Sequence, residues 1–289
     1  MDDRWAGVID RLERLLDRAE RLMEGAGGTA VPDPEAFGRH WAFRWERNGR
    51  SGRLVPVAHP HRVDLDDLVG IEEAKASVVR NTEQFVGRHP ANNVLLWGDR
   101  GSGKSSCVKG LLPRFASRGL RLVEVSREDL GSLLAIVSPL RDLPFRFLVF
   151  CDDLSFGEGE DFRALKSLLD GGVEERPENV LVYATSNRRH MVPEPMSDNT
   201  GEAEIHPEEA VAEKLGLADR FGITIGFPRF DHRAYLDVVD HYARRMGLPV
   251  PPARLHEEAD RFALERGHRS GRTARQFVDD LAGRISLEG

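Results

Sequence analysis

The sequence is poor in several features that mark particular classes of protein. It has only two cysteines, Cys107 and Cys151, too few for the disulfide framework of a small secreted domain. Acidic residues outnumber basic ones, 48 against 41, and the formal net charge is −7, so there is no overall basic surface for nucleic acid. The apolar runs are far shorter than the ~20 residues that span a bilayer, and the acidic start MDDRWAGVIDR differs from a signal peptide. We therefore expect a cytoplasmic protein without a membrane partner.

The first 62 residues predict two small units. Residues 1–28 form an amphipathic helix, in which the apolar positions recur at steps of three and four: Trp5, Val8, Leu12, Leu15, Ala19 and Leu22. This helix can pack on its own domain or pair with a partner. Residues 29–62 combine a linker with a β-hairpin around Asn48-Gly49. The hairpin mixes Trp41, Phe43 and Trp45 with arginines, a pattern that also suits stacking on single-stranded nucleic acid, although a hairpin with one buried face is the simpler interpretation.

The most informative stretch is NVLLWGDRGSGKSS, residues 93–106. Four apolar residues suited to a buried strand lead directly into the pattern G-x-x-x-x-G-K-[ST], the P-loop. Glycines allow successive N–H groups to turn inward around phosphate oxygens at a helix N-terminus. Lys104 is expected to reach the β- and γ-phosphates of a nucleotide, and the Ser105 hydroxyl to take a magnesium coordination position. The predicted phosphate-binding residues are Gly98, Asp99, Arg100, Gly101, Ser102, Gly103, Lys104, Ser105 and Ser106.

The rest of the chain alternates strands and helices and then becomes helical. Strands are predicted at residues 94–97, 120–125, 147–151, 180–185 and 223–227, with helical segments between them. Continuous apolar strands separated by helices indicate an α/β fold with a parallel sheet covered on both faces. Beyond Pro228 three helices are predicted, at residues 231–246, 254–265 and 272–285. We therefore predict an α/β nucleotide-binding core at residues 63–228 and a small, all-helical lid domain at residues 229–289.

Polar residues follow two of these strands. Asp152 and Asp153 end the strand at 147–151, which would place the Asp152 carboxylate beside the P-loop, where it can hold magnesium. Asp153 is the candidate to orient or deprotonate an attacking water, although such a pair can also cap a helix. Asn187 ends the next strand and could hydrogen-bond the water or the γ-phosphate, or serve only in a turn.

Several arginines are candidates for contact with phosphate. Arg188 and Arg189 follow Asn187 directly. Arg220, just before the fifth strand, is a candidate arginine finger, but an isolated arginine there is often a surface ion pair. Arg272 begins the last helix and could fold over the nucleotide, with Arg275 one turn further along as the alternative.

Taken in order, GDRGSGKSS, FLVFCDD, VYATSN, LADRFG and SGRTAR, preceded by DLVGIEEAK, resemble an AAA+ ATPase. NNVLLWGDRGSGKSS, ALKSLLDGG and YATSNRRH are similar to bacterial ATP-binding AAA+ proteins catalogued as a domain of unknown function. This resemblance covers residues 64 onward, with the hairpin region left open as an extension. It implies ATP, Mg²⁺ and a homo-oligomer such as a hexameric ring, in which Arg220 completes a neighbour's site. It also implies an adenine pocket lined by Val69, Gly70 and Ile71, a sensor role for Asn187 and a second sensor role for Arg272.

The chain departs from that pattern at three places. Asp153 stands where glutamate is usual, one methylene shorter, so hydrolysis can be slow. The segment SREDLGSLL lacks the aromatic-hydrophobic-glycine loop that grips polypeptide, which argues against threading of protein substrates. Residues 193–210 lengthen the connection after Asn187 and are expected to form a surface loop.

Three functions follow as hypotheses. The first is a magnesium-dependent ATPase that remodels an unknown protein client. The second is an ATP-dependent switch or scaffold with little turnover. The third is a loader or helper that acts on nucleic acid.

Overall fold

A computed structural model describes residues 32–49, 51–154, 162–171, 175–187, 217–228 and 230–288. The predicted N-terminal helix at residues 1–28 lies outside the described residues, as do Arg188, Arg189 and the segment 193–210. The strands are β1 (Ala42–Asn48), β2 (Ser51–Val57), β3 (Val94–Trp97), β4 (Leu120–Val125), β5 (Arg146–Cys151), β6 (Val180–Ser186) and β7 (Ile223–Gly226). The α-helices are α1 (Pro34–Arg39), α2 (Glu72–Val86), α3 (Lys104–Phe115), α4 (Leu133–Val137), α5 (Arg163–Asp170), α6 (His232–Arg245), α7 (Pro252–Arg266) and α8 (Gly271–Glu288).

These strands form one sheet in the order β2-β1-β4-β5-β6-β3-β7. From β1 to β7 each neighbouring pair is parallel, and β2 is antiparallel to β1. The hairpin is therefore part of the core sheet, because β1 pairs with β4. A domain boundary at residue 63 thus separates strands that lie in the same sheet.

Both faces of the sheet are covered, as the continuous apolar strands predict. Along β5, Phe147, Val149 and Cys151 pack into a cluster with residues of α1, α4 and α5. The alternate residues Leu148 and Phe150 pack into a second cluster with residues of α2 and α3. Successive side chains of a strand point to opposite faces, so this alternation divides the core into two layers.

Two segments differ from the sequence-based expectation. Pro34, assigned to a linker, begins the short helix α1, whose N-cap Asp33 accepts a hydrogen bond from Glu35 N at 3.0 Å. Phe37 anchors this helix, with its ring centroid 4.3 Å from that of Phe43. The helical segment expected between the strands at 120–125 and 147–151 is divided into a 3₁₀ turn at Arg127–Ser132, α4, and a second 3₁₀ turn at Ser138–Leu140, which contains Pro139.

The last three helices pack around a core of their own. Its largest fully buried members are Tyr235 and Phe277. Val69, from the segment before α2, packs against this cluster. The helical domain therefore contacts the core-domain segment that connects β2 to α2.

Candidate functional site

The P-loop connects β3 to α3. Three of its glycines adopt positive φ: Gly98 at 145°, Gly101 at 75° and Gly103 at 100°, a region that side chains disfavour. The turn delivers the chain to the N-terminus of α3, which begins at Lys104. Within it, the Ser102 hydroxyl is buried without a hydrogen-bond partner. The loop therefore has the backbone form that surrounds phosphate, and a buried donor for which a phosphate oxygen would be a partner.

Lys104 is only 4% exposed. Its Nζ donates to the carbonyl oxygens of Gly98 and Asp99, each at 2.8 Å, and to Asn187 Oδ1 at 3.0 Å. Burial lowers the pKa of Lys104 from its ordinary value, and the nearby carboxylates of Asp152 and Asp153 oppose that shift. The ammonium group is thus fixed at the centre of the loop by contacts that an incoming phosphate can replace.

Ser105 and Asp152 meet directly, because the Ser105 hydroxyl donates to Asp152 Oδ1 at 2.6 Å. The same oxygen accepts from the Thr185 hydroxyl, also at 2.6 Å. Thr185 is absent from the set of site residues that the sequence predicts. The signal that could have identified Thr185 is the parallel pairing of β5 with β6, which places Cys151 opposite Ala184. The residues that follow these two, Asp152 and Thr185, therefore lie side by side at the edge of the sheet.

Asp153 has a constrained backbone for a residue other than glycine, with φ at 56°. Its N–H donates to Thr185 Oγ1 at 2.8 Å. Its carboxylate accepts from Asn187 Nδ2 and lies 3.8 Å from Arg100 NH2. The structure thus brings Asp152, Asp153 and Asn187 together at the carboxyl edge of the sheet.

A cleft of about 1060 Å³ extends from the P-loop to the helical domain. Its lining includes three arginines of the lid, Arg245, Arg272 and Arg275. Arg275 Nε lies 2.9 Å from a carboxylate oxygen of Asp279, and its guanidinium lies 4.7 Å from the ring centroid of Tyr242. Arg272 is exposed at the start of α8. Both candidates for the second sensor role therefore face the cleft.

The lid also touches the P-loop directly. The Gly271 N–H donates to the Gly101 carbonyl oxygen at 3.1 Å. A Cβ atom at Gly101 would stand 2.6 Å from Ser270 Cβ. Glycine at position 101 thus allows the lid to approach the phosphate-binding backbone.

Val69 and Ile71 line the main cleft, whereas Gly70, Gly98 and Asp99 line a neighbouring cleft of about 720 Å³. Ile71 is common to both clefts, so the predicted adenine-pocket segment lies at the boundary between the two spaces.

The segment before Val69 is also tied to α6. Asp67 accepts from His241 Nε2 at 3.0 Å and from Arg245, and Arg245 NH2 lies 3.1 Å from Asp64 Oδ2. These contacts link the core to the lid, and Asp64, Asp67 and Arg245 also line the cleft.

Arg220 is not among the described residues that line the cleft. Its Nε lies 2.6 Å from Asp170 Oδ2, at the end of α5. Within a single chain, Arg220 thus forms an ion pair with Asp170, which is the alternative to an arginine finger that the sequence offers.

The residues present fit both magnesium and a nucleotide. A serine hydroxyl and an aspartate carboxylate are oxygen ligands of the kind that Mg²⁺ takes, with water and phosphate oxygens completing its coordination. Across the described ranges, no group of three or more His, Cys, Asp or Glu side chains could hold a metal ion. Ser105 and Asp152, which are joined by a hydrogen bond, are the side chains that would hold magnesium together with a bound phosphate.

Comparison with known proteins identifies the family. Residues 38–285 match the model of a family described as "Protein of unknown function (DUF815)". The chain belongs to this family. The match extends from α1 into α8, so DUF815 includes the hairpin, the P-loop core and the helical lid. The predicted relationship to a family catalogued as a domain of unknown function is confirmed.

Similarity to solved structures is more distant. The Thermotoga maritima RuvB Holliday junction branch migration motor aligns with a TM-score of 0.45 and 14% identity, over 75% of this chain and 72% of that chain. A point mutant of the same protein gives a TM-score of 0.46. A DNA replication initiation factor aligns with a TM-score of 0.43 and 16% identity, over 78% of this chain and 63% of that chain.

The DUF815 chain described here has a mostly parallel sheet with a P-loop after β3 and a C-terminal helical domain, so the predicted α/β P-loop fold with a helical domain after the core is confirmed. None of its described helices combines the length and apolar character needed to cross a membrane.

Proposed function

We propose that this chain binds ATP together with magnesium and hydrolyses it to ADP and phosphate. The observation that carries the proposal is the convergence of the P-loop, the Ser105–Asp152 pair, Asn187 and the lid arginines on one cleft. Phosphoryl transfer needs positioning and charge stabilisation more than covalent help from the protein. These residue types supply both.

Each residue has a defined task in this proposal. Lys104 exchanges its carbonyl contacts for the β- and γ-phosphates, while Ser105 and Asp152 hold the metal. Bound magnesium would neutralise charge that develops on the phosphate oxygens. Asp153, oriented by Asn187 and Thr185, accepts a hydrogen bond from the attacking water, and Arg272 or Arg275 neutralises phosphate charge from the lid.

The proposal extends to coupling and assembly. Because Gly271 of the lid donates to Gly101 of the P-loop, a nucleotide that rearranges the loop also displaces the lid. We propose that this movement remodels a protein client. We also propose a ring-like homo-oligomer, in which Arg220 leaves Asp170 and completes the site of a neighbouring subunit.

A switch with little turnover is the second candidate, and the contacts of Asp153 favour it. This carboxylate is engaged by Asn187 and lies 3.8 Å from Arg100, so these contacts compete with a water. The hypothesis of a nucleic-acid helper gains less support, since the hairpin residues Phe43 and Trp45 are 0% and 4% exposed and cannot stack on bases in this conformation.

The test is the rate of ATP hydrolysis as a function of protein concentration, with ATP binding measured in parallel. We expect Lys104→Ala to lose binding and Asp152→Asn to lose turnover, while the exposed lid variant Arg261→Ala matches wild type. Arg220→Ala should bind ATP without hydrolysing it, and wild-type turnover per subunit should rise with concentration. Unchanged turnover in Lys104→Ala and Asp152→Asn would overturn the ATPase, and tight binding without turnover at every concentration would establish the switch.

A further inference from the structure

A third cleft, of about 490 Å³, lies at the opposite edge of the sheet from the P-loop. Residues at the starts of β4 and β5, in the approach to β6 and at the end of α2 line it. Asp152 follows the far end of β5, a strand of six residues, which spans ~20 Å at about 3.3 Å per residue. This cleft is therefore separate from the proposed nucleotide site.

Its lining is rich in arginine. We call it the basal arginine cleft, after the five arginines among its lining residues: Arg88, Arg118, Arg141, Arg146 and Arg176. The acidic lining residues are Glu175 and Glu178. The lining thus has three more basic than acidic side chains, in a chain whose net charge is −7.

Several of these guanidinium groups are held in place. Arg146 NH1 donates to the Glu178 carbonyl oxygen at 2.8 Å, and its guanidinium lies 5.3 Å from the ring centroid of Phe85. Arg176 NH1 donates to Asn93 Oδ1 at 2.5 Å. A guanidinium has five N–H donors, and each of these hydrogen bonds uses one. The contacts therefore orient the side chains at little cost to their capacity to bind a ligand.

The positive charges are also crowded. Burial and then the charge of Arg88 lower the pKa of Arg146, and the Glu178 carboxylate opposes that shift. Burial likewise lowers the pKa of Arg176. Arg88 itself has a left-handed backbone, with φ at 61°. Bringing together groups of like charge costs free energy that a bound anion would recover.

We propose that the basal arginine cleft binds a small ligand that carries two or more phosphate groups. The planar fork of a guanidinium matches phosphate oxygens in a bidentate manner, whereas an ammonium acts as a point charge. The volume falls within the roughly 300–1,000 Å³ of small-molecule sites, which suits a compact polyanion. The proposal goes beyond the nucleotide site, since it concerns a different edge of the sheet.

The test uses inorganic pyrophosphate as the probe, titrated calorimetrically into the full-length Lys104→Ala chain at about 0.15 M ionic strength. The lysine variant weakens phosphate binding at the P-loop. We expect a saturable site that Arg88→Asp and Arg176→Gln each weaken at least tenfold. Aspartate tolerates the left-handed backbone at position 88 better than most residues. Because Arg88 is exposed, we expect its substitution to leave the fold intact, and circular dichroism checks this. Arg261→Gln, an exposed lid arginine, is the matched control.

Two further probes decide the ligand class. Tricarballylate presents carboxylates in place of phosphates, and a short single-stranded oligonucleotide presents phosphates on a polymer. Pyrophosphate binding that is absent, or that persists unchanged in Arg88→Asp and Arg176→Gln, would overturn the site. Equal affinity for tricarballylate would overturn the phosphate preference, and tighter binding of the oligonucleotide through the same arginines would replace the small ligand by nucleic acid.

Discussion

Thr185 joins the two acidic residues of the site, and removing its hydroxyl tests that arrangement. The hydroxyl donates to Asp152 Oδ1 at 2.6 Å and accepts from Asp153 N at 2.8 Å, and Thr185 is 1% exposed. Valine has nearly the same shape but makes neither bond. A hydrogen bond to a charged group contributes about 1.5–3 kcal/mol. The hydrogen bond from Asp153 N joins two uncharged groups, so its loss adds less than the loss of the bond to the Asp152 carboxylate.

We therefore expect Thr185→Val to lower the free energy of unfolding by about 2 kcal/mol. If about 1.4 kcal/mol of this loss is felt in the transition state, kcat for ATP falls about tenfold. Urea unfolding measures the first quantity and steady-state hydrolysis the second. Thr185→Ser is the matched control, because it keeps the hydroxyl and removes a methyl group. A valine variant within about 0.5 kcal/mol of wild type, or a serine variant that loses as much kcat as valine, would refute the reasoning.

Three further predictions concern the lid and the cysteines. Gly101→Ala should weaken ATP binding at least tenfold, because its Cβ would meet Ser270. Gly267→Ala is the matched control, since Gly267 also has a positive φ, at 72°, but has no neighbour within 4 Å of the new atom. Equal affinities of the two variants in a fluorescent-nucleotide titration would contradict this prediction. Burial raises the pKa of Cys107 and of Cys151 to about 12, so only about one thiol in ten thousand is ionised at about pH 8, and a thiol reagent should label the unfolded chain rather than the native one. Rapid labelling of the native protein would contradict this prediction, because it would show the thiols to be accessible. The free energy of unfolding should also fall as pH rises above about 8.5, where the thiols of the unfolded chain ionise.

The elements that the sequence predicted best are those with a strong local signal. The P-loop motif places Gly98 to Ser105 between a strand and a helix, and β3 and β4 have the predicted bounds. Asp152 and Asn187 meet Ser105 and Lys104 because the carboxyl ends of parallel strands lie at one edge of the sheet.

Other features depend on pairing between distant segments, which no local pattern reports. The parallel pairing of β1 with β4 joins residues about eighty positions apart. The role of Thr185 requires the register of β5 against β6, and the contact of Gly101 with Ser270 requires the lid to be docked. The ion pair of Arg220 with Asp170 likewise depends on where α5 ends.

The hydrogen bond between Gly271 and Gly101 joins the first residue of α8 to the P-loop. The helix has 18 residues, so it is about 27 Å long at 1.5 Å per residue, and one end rests on the phosphate-binding loop. A tilt of about 10° around that end carries the far end through about 5 Å. We therefore expect a small rearrangement of the P-loop to produce a much larger displacement at the far end of this helix.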